Sequence, residues 1–321
     1  MTARRHLLIA LGAAPGLGLS GCAAFVPAQT AALRERVPAG LPLRLELVET
    51  PFFPQTEFHC GPAALASVLQ AIGVQVSPET LGSQIFLPAR QGTLQAEMLA
   101  GARRHGAVAV SLPGEIEAVL REVASGRPVV ILQNLGLSFA PLWHYAVIVG
   151  YDLEHGDVVL RSGATRHAVM SLRTFEHTWA RAGHWAFVAV PPGQLPQTAS
   201  ETALTQALVA FERVAMPEQA LRSYEAAAAR WPNSLSLAIG RGNTLYASGA
   251  KDAAMQVFET AARQHRSAAA WINLGNVALE LGQHQRADAA ARDALAIGGA
   301  WSEQAQALRE RVHAATRPVV R

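Results

Sequence analysis

The sequence predicts an α+β domain followed by an all-α domain of helical repeats. Two observations predict the first domain. Apolar residues at helical spacing fill its first half, and short β-branched runs bounded by Gly, Pro or Asp fill its second half. Helices that precede an antiparallel sheet are typical of α+β folds. The third observation is an Ala-rich C-terminal region in which segments recur with a period of about 34 residues.

Length and composition favour two folded domains. The chain has 321 residues, of which 50% are hydrophobic and 16% are charged, as in globular rather than disordered proteins. The net charge is only +3, and no Lys/Arg block is interleaved with aromatic residues, which argues against nucleic-acid binding. We expect no cofactor and no bound metal, and the sequence contains no phosphate-binding G-x-x-x-x-G-K-[ST] loop.

The first 22 residues resemble a bacterial lipoprotein signal peptide. Arg4 and Arg5 precede a Leu/Ala/Gly-rich stretch over 7–19 that is too short to span a membrane. It ends in Leu19-Ser20-Gly21-Cys22, which resembles a lipobox, so we expect Cys22 to carry lipid and to anchor the chain. In a Gram-negative host, Ala23 would direct the protein to the periplasmic face of the outer membrane. The alternatives are an ordinary secretory signal or a twin-arginine signal.

Composition also predicts the domain boundaries. Residues 23–42 contain Pro27, Pro38, Gly40 and Pro42 and should form a tether. The first domain should span 43–190, followed by a Pro/Gly-containing linker over 191–200 and by helical repeats over 201–321. Within the first domain we expect helices and strands at the following positions: helices 61–72, 94–106 and 113–125, then strands 128–133, 145–152, 157–161 and 185–190.

The C-terminal repeat resembles the tetratricopeptide (TPR) repeat. Gly242-Asn243 matches Gly275-Asn276, and Trp271, Leu274 and Gly275 form the W-x₂-L-G opening of such a unit. Two and a half to three repeats would occupy 201–299, with a capping helix over 301–320. Small residues are required where paired helices stack closely. The alternative is a generic Ala-rich helical bundle.

One thiol stands out once Cys22 is assigned to lipid. Cys60 has no partner for a disulfide, and the sequence Cys60-Gly61-Pro62 begins the first predicted helix. The N-terminus of a helix stabilises a thiolate through unpaired N–H groups and the helix dipole. We therefore interpret Cys60 as a nucleophile, with a buried, inert cysteine as the alternative.

A nucleophilic cysteine needs a histidine base from elsewhere in the chain. Among the 11 histidines, His144 fits best because it opens a long apolar strand in which a polar ring is otherwise unexplained. His59, beside Cys60, is expected to form a wall of the pocket instead.

Together these residues resemble the bacteriocin-processing peptidases that cut double-glycine leader peptides, which are papain-like cysteine peptidases. In that family a Gln precedes a Cys-Gly-Pro helix start, and an H-[YF]-x-V-[VIL] strand supplies the base. Gln55, Cys60 and His144 match these positions, and the likeness covers residues 45–190. The resemblance implies a papain-like fold in which the Gln55 amide and the Cys60 backbone N–H form the oxyanion hole.

The chain departs from this family at the residue that orients the histidine. The family uses an Asp or Asn there, whereas this chain reads Leu160-Arg161-Ser162-Gly163. Ser162 can accept a hydrogen bond from the imidazole Nδ1–H but supplies no negative charge; a water could take the same role. Asp152 lies at the far end of the His144 strand, about 26 Å away, and Asp157 is expected in a turn.

The leading hypothesis is an envelope cysteine peptidase that cuts a peptide or protein, with repeats that recruit substrate or a protein partner. The rival hypothesis is a catalytically weak or inactive peptide-binding module on a repeat scaffold. A third, amide transfer or deamidation, uses the same residues. Neither a spanning run nor a nucleotide-binding loop accompanies the domain, unlike the transporter enzymes of the family.

Overall fold

The structure, a computed structural model, describes residues 26–54 and 59–317. Cys22 and Gln55 therefore lie outside the described residues. The described residues form one seven-stranded sheet in the order β2-β7-β3-β4-β5-β6, with β1 paired to β4, and every pairing in it is antiparallel. The strands are β1 Arg44–Glu46, β2 Val108–Ser111, β3 Val129–Asn134, β4 Trp143–Asp152, β5 Asp157–Ser162, β6 Thr165–Ser171 and β7 Ala186–Val190.

Within residues 26–54 and 59–317, six α-helices accompany the sheet and seven more follow it. The first six are α1 Ala28–Glu35, α2 Cys60–Ala71, α3 Pro78–Ile85, α4 Gln95–Arg104, α5 Ile116–Ala124 and α6 Leu172–Ala180. The others are α7 Glu201–Glu212, α8 Pro217–Arg230, α9 Leu235–Ala247, α10 Lys251–His265, α11 Ala268–Glu280, α12 His284–Ile297 and α13 Ser302–Thr316. This arrangement confirms the α+β expectation for the first region and the all-helical expectation for the second.

Alternation along β4 divides the hydrophobic residues between two faces of the sheet. Tyr145 and Val147 point to one face, where they pack with Leu65 and Leu69 of α2. Ala146 and Ile148 point to the other face, which α5, α6 and α7 cover. The strand is therefore buried on both sides, which explains why its sequence is an almost unbroken apolar run.

The expected tether contains a docked helix instead. In α1, the backbone N–H groups of Gln29 and Thr30 donate to the carboxylate of Glu176 on α6, at 3.0 and 2.6 Å. Leu33, on the same helix, joins the hydrophobic core of the sheet. A carboxylate at a helix N-terminus satisfies N–H groups that have no partner within the helix. Residues 28–35 are thus part of the folded domain, and the proline content of the segment misled the sequence interpretation.

The expected linker is also held in place. Thr198 donates from its backbone N–H and its Oγ1 to Glu122 Oε1 on α5, at 2.6 and 2.7 Å. Arg230 of α8 donates to the carbonyl oxygens of Pro196 and Gln197. The next helix, α7, contributes Leu204 and Phe211 to the core that covers the sheet. The first repeat helices therefore pack directly on the sheet domain.

The C-terminal helices pair in the order α7–α8, α9–α10 and α11–α12, and α13 packs beside α12. Glycines stand where the helices meet. A Cβ on Gly242 would lie 2.4 Å from the Phe258 ring, and one on Gly275 would lie 2.5 Å from Leu308. The Gly-Asn positions thus mark close helix contacts, as stacking requires. Helical repeats fit this arrangement, while the tetratricopeptide assignment stays a prediction.

Several elements escaped the sequence interpretation. The edge strand β6 is mostly exposed and polar, so it lacks an apolar run, and β2 has only four residues. Helices α3 and α6 are short, with eight and nine residues. Elements this short depend on tertiary packing rather than on periodicity. Within the described ranges no helix combines the length and hydropathy needed to cross a bilayer.

Because Glu176 holds the start of α1, the substitution Glu176→Gln should destabilise the folded protein. A Gln amide has one oxygen for donors that now use two, so Glu176→Gln should lower the free energy of unfolding by about 1–3 kcal/mol. It should also speed hydrogen exchange in residues 28–35. Glu35→Gln, an exposed change on the same helix, is the control. Equal exchange in both variants would contradict this role for Glu176.

Candidate active site

Cys60 is the first residue of α2, and the helix behind it is buried from Gly61 to Leu69. Small residues allow this burial. A Cβ on Gly61 would lie 2.8 Å from both Cβ and Oγ1 of Thr93, so only glycine fits the close approach. The helix is therefore fixed against the sheet, and its N-terminus holds the thiol at one end of the domain.

His144 is the second residue of β4 and pairs with Gln133 of β3. Its imidazole Nε2 lies 2.8 Å from Ser162 Oγ at the end of β5. The sequence analysis expected Ser162 to bind Nδ1, and that detail is wrong, because the ring presents Nε2 to β5. Nδ1 is consequently the nitrogen left for chemistry.

The thiol and the imidazole face the same cavity, which has a volume of about 900 Å³. No direct hydrogen bond joins Cys60 to His144 among the contacts of the described residues; such bonds often tighten only when substrate binds. The lining is mainly apolar, and Arg90 is the one Asp, Glu, Lys or Arg among the described residues that line it. The other lining residues are Gln91, Gly92, Thr93, Leu94, Gln95, Leu132, Leu135, Pro141, Leu142, Trp143, Tyr145, Gly163 and Ala182.

Burial raises the pKa of the Cys60 thiol above its ordinary value. The backbone N–H groups of Tyr145, Gly61 and Cys60 itself act in the opposite direction, but desolvation is the largest effect. The sequence analysis expected the helix N-terminus to stabilise a thiolate. The structure corrects this: the stabilising N–H groups are present, and the apolar surroundings outweigh them.

Burial also lowers the pKa of His144 below its ordinary value, because the imidazolium loses solvation. A raised thiol pKa and a lowered imidazole pKa both favour the neutral forms at neutral pH. The two shifts therefore disfavour a thiolate–imidazolium ion pair in the site.

The two acids considered in the sequence analysis, Asp152 and Asp157, lie away from the His144 ring. Asp152, at the far end of β4, accepts from the backbone N–H of His155 at 3.0 Å and pairs with its ring. Asp157 is the first residue of β5, opposite Asp152, rather than part of the turn as expected. In the part of the chain that the structure describes, Ser162 is the side chain that forms a hydrogen bond with the His144 ring.

A buried arginine, which the sequence analysis did not single out, holds the strand beside the site. Arg161 is 3% exposed and lies next to Ser162. Its guanidinium donates to the carbonyl oxygens of Leu47, Val48 and Arg166 and to Glu46. These bonds connect β5 to the segment that leads toward residue 55. The sequence feature that could have identified this residue is an arginine within an otherwise apolar strand.

His59 does not form the pocket wall that was expected. Its ring stacks on Phe86 after α3, with ring centroids 5.2 Å apart, and it is absent from the cavity lining described above. Gln55 lies outside the described residues, so its place in an oxyanion hole stays a prediction. Among the described residues, no three His, Cys, Asp or Glu side chains cluster as metal ligands would.

Because Gly61 lies against Thr93, substitution by alanine should affect stability differently at Gly61 and at Gly82, two glycines in helices. Gly61→Ala should lower the free energy of unfolding by about 1–3 kcal/mol, because the new methyl group collides with Thr93. Gly82→Ala on α3 is the matched control, since its Cβ would lie 3.8 Å from the nearest atom and alanine favours helices. Denaturant unfolding measures both, and an equal loss would contradict the close packing.

Residues 47–187 match the model of the Peptidase_C39 like family. No curated protein matches the chain significantly. A structure described as a C39-like peptidase from Bacillus anthracis is 22% identical and covers 46% of this chain and 97% of its own, with a TM-score of 0.38. The peptidase domain of Streptococcus ComA, a bi-functional ABC transporter, is 21% identical over 44% of this chain and 99% of its own, with a TM-score of 0.37.

A double glycine motif protease from an AMS/PCAT transporter, in complex with its leader peptide, is 19% identical. It covers 45% of this chain and 93% of its own, with a TM-score of 0.34. The family match contains both Cys60 and His144, and it ends before the C-terminal helices. Residues 47–187, an antiparallel sheet with helices packed on it, are thus the part of the chain that is similar to the C39-like peptidases.

Proposed function

We propose that the chain is a cysteine peptidase in which Cys60 is the nucleophile and His144 is its base. One observation carries the proposal: the two side chains line a single cavity, with the His144 ring held by Ser162 at 2.8 Å. A thiol, a base and a residue that orients the base are the parts that nucleophilic catalysis on a carbonyl requires.

The ionisation of the pair determines the proposed mechanism. Neutral His144 removes the thiol proton through Nδ1 as Cys60 attacks the peptide carbonyl. The resulting oxyanion is held by the Cys60 backbone N–H and by the Gln55 amide, whose role rests on the sequence resemblance. The imidazolium then protonates the leaving amine, and water hydrolyses the acyl-enzyme with His144 again as base.

Ser162 keeps the ring in place through these steps. Its hydroxyl can accept from the Nε2–H, which leaves Nδ1 unprotonated and able to take the thiol proton. A serine adds no negative charge to stabilise the imidazolium. The proposed enzyme therefore works without the carboxylate assistance found in many triads, and a lower rate is the expected consequence.

The substrate in this proposal is a peptide or protein. Cleavage after a Gly-Gly-type leader is the first specificity to test, because Gln55, Cys60 and His144 match the pattern of the leader-cutting peptidases. The sequence further supports lipid on Cys22 and residence in the cell envelope, on the periplasmic face of the outer membrane. The membrane is thus a proposed partner through the anchor.

The C-terminal helices supply a second proposed binding surface, for a protein partner or for the substrate. Between α9 and α11 lies a cavity of about 230 Å³ lined by Asn243, Tyr246, Asn276 and Glu280, among others. Tyr246 and Lys251 both bond to Glu280, which fixes the polar groups of this groove. Amide and hydroxyl groups in a groove suit a polypeptide backbone, which both donates and accepts.

A catalytically weak peptide-binding module is the second candidate function. The observations that favour it are the raised thiol pKa and the serine in place of a carboxylate beside His144. In that case the cavity would bind peptides without cutting them.

A cleavage assay separates the two candidates. The purified full-length chain is incubated with a synthetic peptide library that includes Gly-Gly leaders, and products are identified by mass spectrometry. We expect cleavage that disappears in Cys60→Ala and falls about 10²- to 10⁴-fold in His144→Ala, the range for loss of a general base. Saturable peptide binding by the Cys60→Ala variant, without cleavage by the unaltered chain, would favour the binding module.

The pH dependence follows from the lowered pKa of His144. General-base catalysis needs the neutral ring, so activity should be lost only as pH falls through that lowered pKa. The acid limb of kcat/KM should thus lie below the ordinary histidine value of about 6.5. A limb centred well above that value would contradict the neutral-pair mechanism.

Substitutions of Ser162 should shift the acid limb of the kcat/KM profile. Ser162→Asp introduces a carboxylate beside Nε2, which should raise the pKa of His144 and shift the acid limb upward by about one pH unit or more. Ser162→Ala removes the hydrogen bond and should lower kcat about 3- to 10-fold with little change in KM. Ser162→Thr retains the hydroxyl and is the control. An unchanged limb in Ser162→Asp would argue against the contact with His144.

A further inference from the structure

The loop between β3 and β4 is a hairpin over residues 135–142 with exposed apolar side chains. Phe139 at its tip is 85% exposed, and Leu137 and Leu142 are 55% and 62% exposed. Residues 134–144 contain no Asp, Glu, Lys or Arg. Large exposed apolar groups in one place indicate a binding surface.

Hydrogen bonds and close packing fix the conformation of the hairpin. The side-chain oxygen of Asn134 accepts from the backbone N–H groups of Gly136 and Leu142, at 3.0 and 2.9 Å. Leu137 and Ala140 exchange backbone hydrogen bonds of 3.1 Å. A Cβ on Gly136 would lie 2.4 Å from the Ala140 carbonyl oxygen, so the turn requires glycine there. The exposure of the tip is therefore fixed by the fold.

Substrate in the cavity accounts for only part of this surface. Leu135, Leu142 and Trp143 line the cavity that holds Cys60 and His144. The tip residues Leu137 and Phe139 are outside that lining. A substrate in the cavity would therefore leave the most exposed apolar residues of the hairpin uncovered, and a different partner must bind them.

The N-terminal end of α1 lies at the same edge of the sheet as the hairpin. Gln29 of α1 bonds through its side chain to Gly114 and Ile116, just after β2. Gly114 is packed against His184, which precedes β7. From the adjoining turn, Arg181 donates to the Asn134 carbonyl at the base of the hairpin, at 3.1 Å.

The predicted lipid anchor is close to this edge. Six peptide units connect Cys22 to Ala28, the first residue of α1. A fully extended chain spans at most about 3.6 Å per residue, so the anchor lies within roughly 20 Å of the helix. Because Glu176 holds the start of α1, the domain cannot stand farther from the bilayer than this short segment allows.

Resting on the lipid anchor at Cys22 in the proposed function, we propose that the 135–142 hairpin docks on the lipid bilayer, with Leu137 and Phe139 in contact with acyl chains. The uncharged sequence avoids the cost of placing charge in the membrane. Trp143 at the base matches the preference of Trp for the interface. The mouth of the Cys60 cavity is then held at the membrane surface, where it meets polypeptides that are themselves bound to the membrane.

Tryptophan quenching tests this contact in the full chain. The acylated protein is reconstituted in phosphatidylethanolamine–phosphatidylglycerol vesicles whose lipids carry bromine on the acyl chains. In Phe139→Trp, the added emission should be quenched at least twofold more than the added emission in Met216→Trp. Met216 is the control because it is 65% exposed and lies in the turn between α7 and α8. Equal quenching in the two variants would overturn the proposal.

Further variants separate the membrane from the substrate. Joint substitution of Leu137→Glu and Phe139→Glu should reduce quenching of the native Trp143 without lowering the melting temperature. If this double variant instead raises KM for peptides in detergent and leaves quenching unchanged, the tip binds substrate and the proposal fails. Absence of lipid on Cys22, by mass spectrometry, also overturns it. Quenching should persist in Cys60→Ala, which lacks the proposed nucleophile. The membrane contact and the proposed proteolysis can therefore be disproved independently of each other.

Discussion

The packing of α2 on the sheet is the constraint on which the candidate site depends. The helix is buried from Gly61 to Leu69, and it contacts β4 through alternate apolar residues of that strand. This contact brings the first residue of α2 to the end of the sheet where β4 begins. Cys60 and His144 are 84 positions apart in sequence, yet each is fixed at the end of a rigid element beside one cavity. Glycine at position 61 is the local condition for this close approach.

The same burial that positions the pair also controls its charge. Desolvation raises the pKa of the thiol and lowers the pKa of the imidazole, so both effects favour neutral groups. Ser162 adds a hydrogen bond to the ring without adding charge. In the proposed mechanism, proton transfer accompanies attack, and the N–H groups near sulfur stabilise the thiolate as it forms. A position at a helix N-terminus therefore does not by itself lower the pKa of Cys60 below its ordinary value.

Two buried carboxylates hold the segments that precede and follow the sheet domain. Glu176 holds the start of α1, and Glu122 holds Thr198 before α7. Each is nearly inaccessible to solvent, and each accepts backbone N–H groups that would otherwise lack partners. As a result, the N-terminal segment and the first repeat helices keep a fixed relation to the cavity. The proposed contact of the hairpin with a bilayer follows from this geometry, because a free tether would leave the orientation open.

The sequence by itself determined the α+β class of the first region with four of its seven described strands, the helical C-terminal region, and Cys60 with His144 as candidates. These follow from periodicity and from local chemistry, which operate over a few residues. Tertiary structure decided the ionisation of the pair, the ring nitrogen that meets Ser162, and the docking of residues 28–35. It also brought Arg161 to the carbonyl groups of the segment 46–50 and left Phe139 exposed beside the cavity. Desolvation and contacts between distant segments produce these features, and neither is visible in a local pattern of residues.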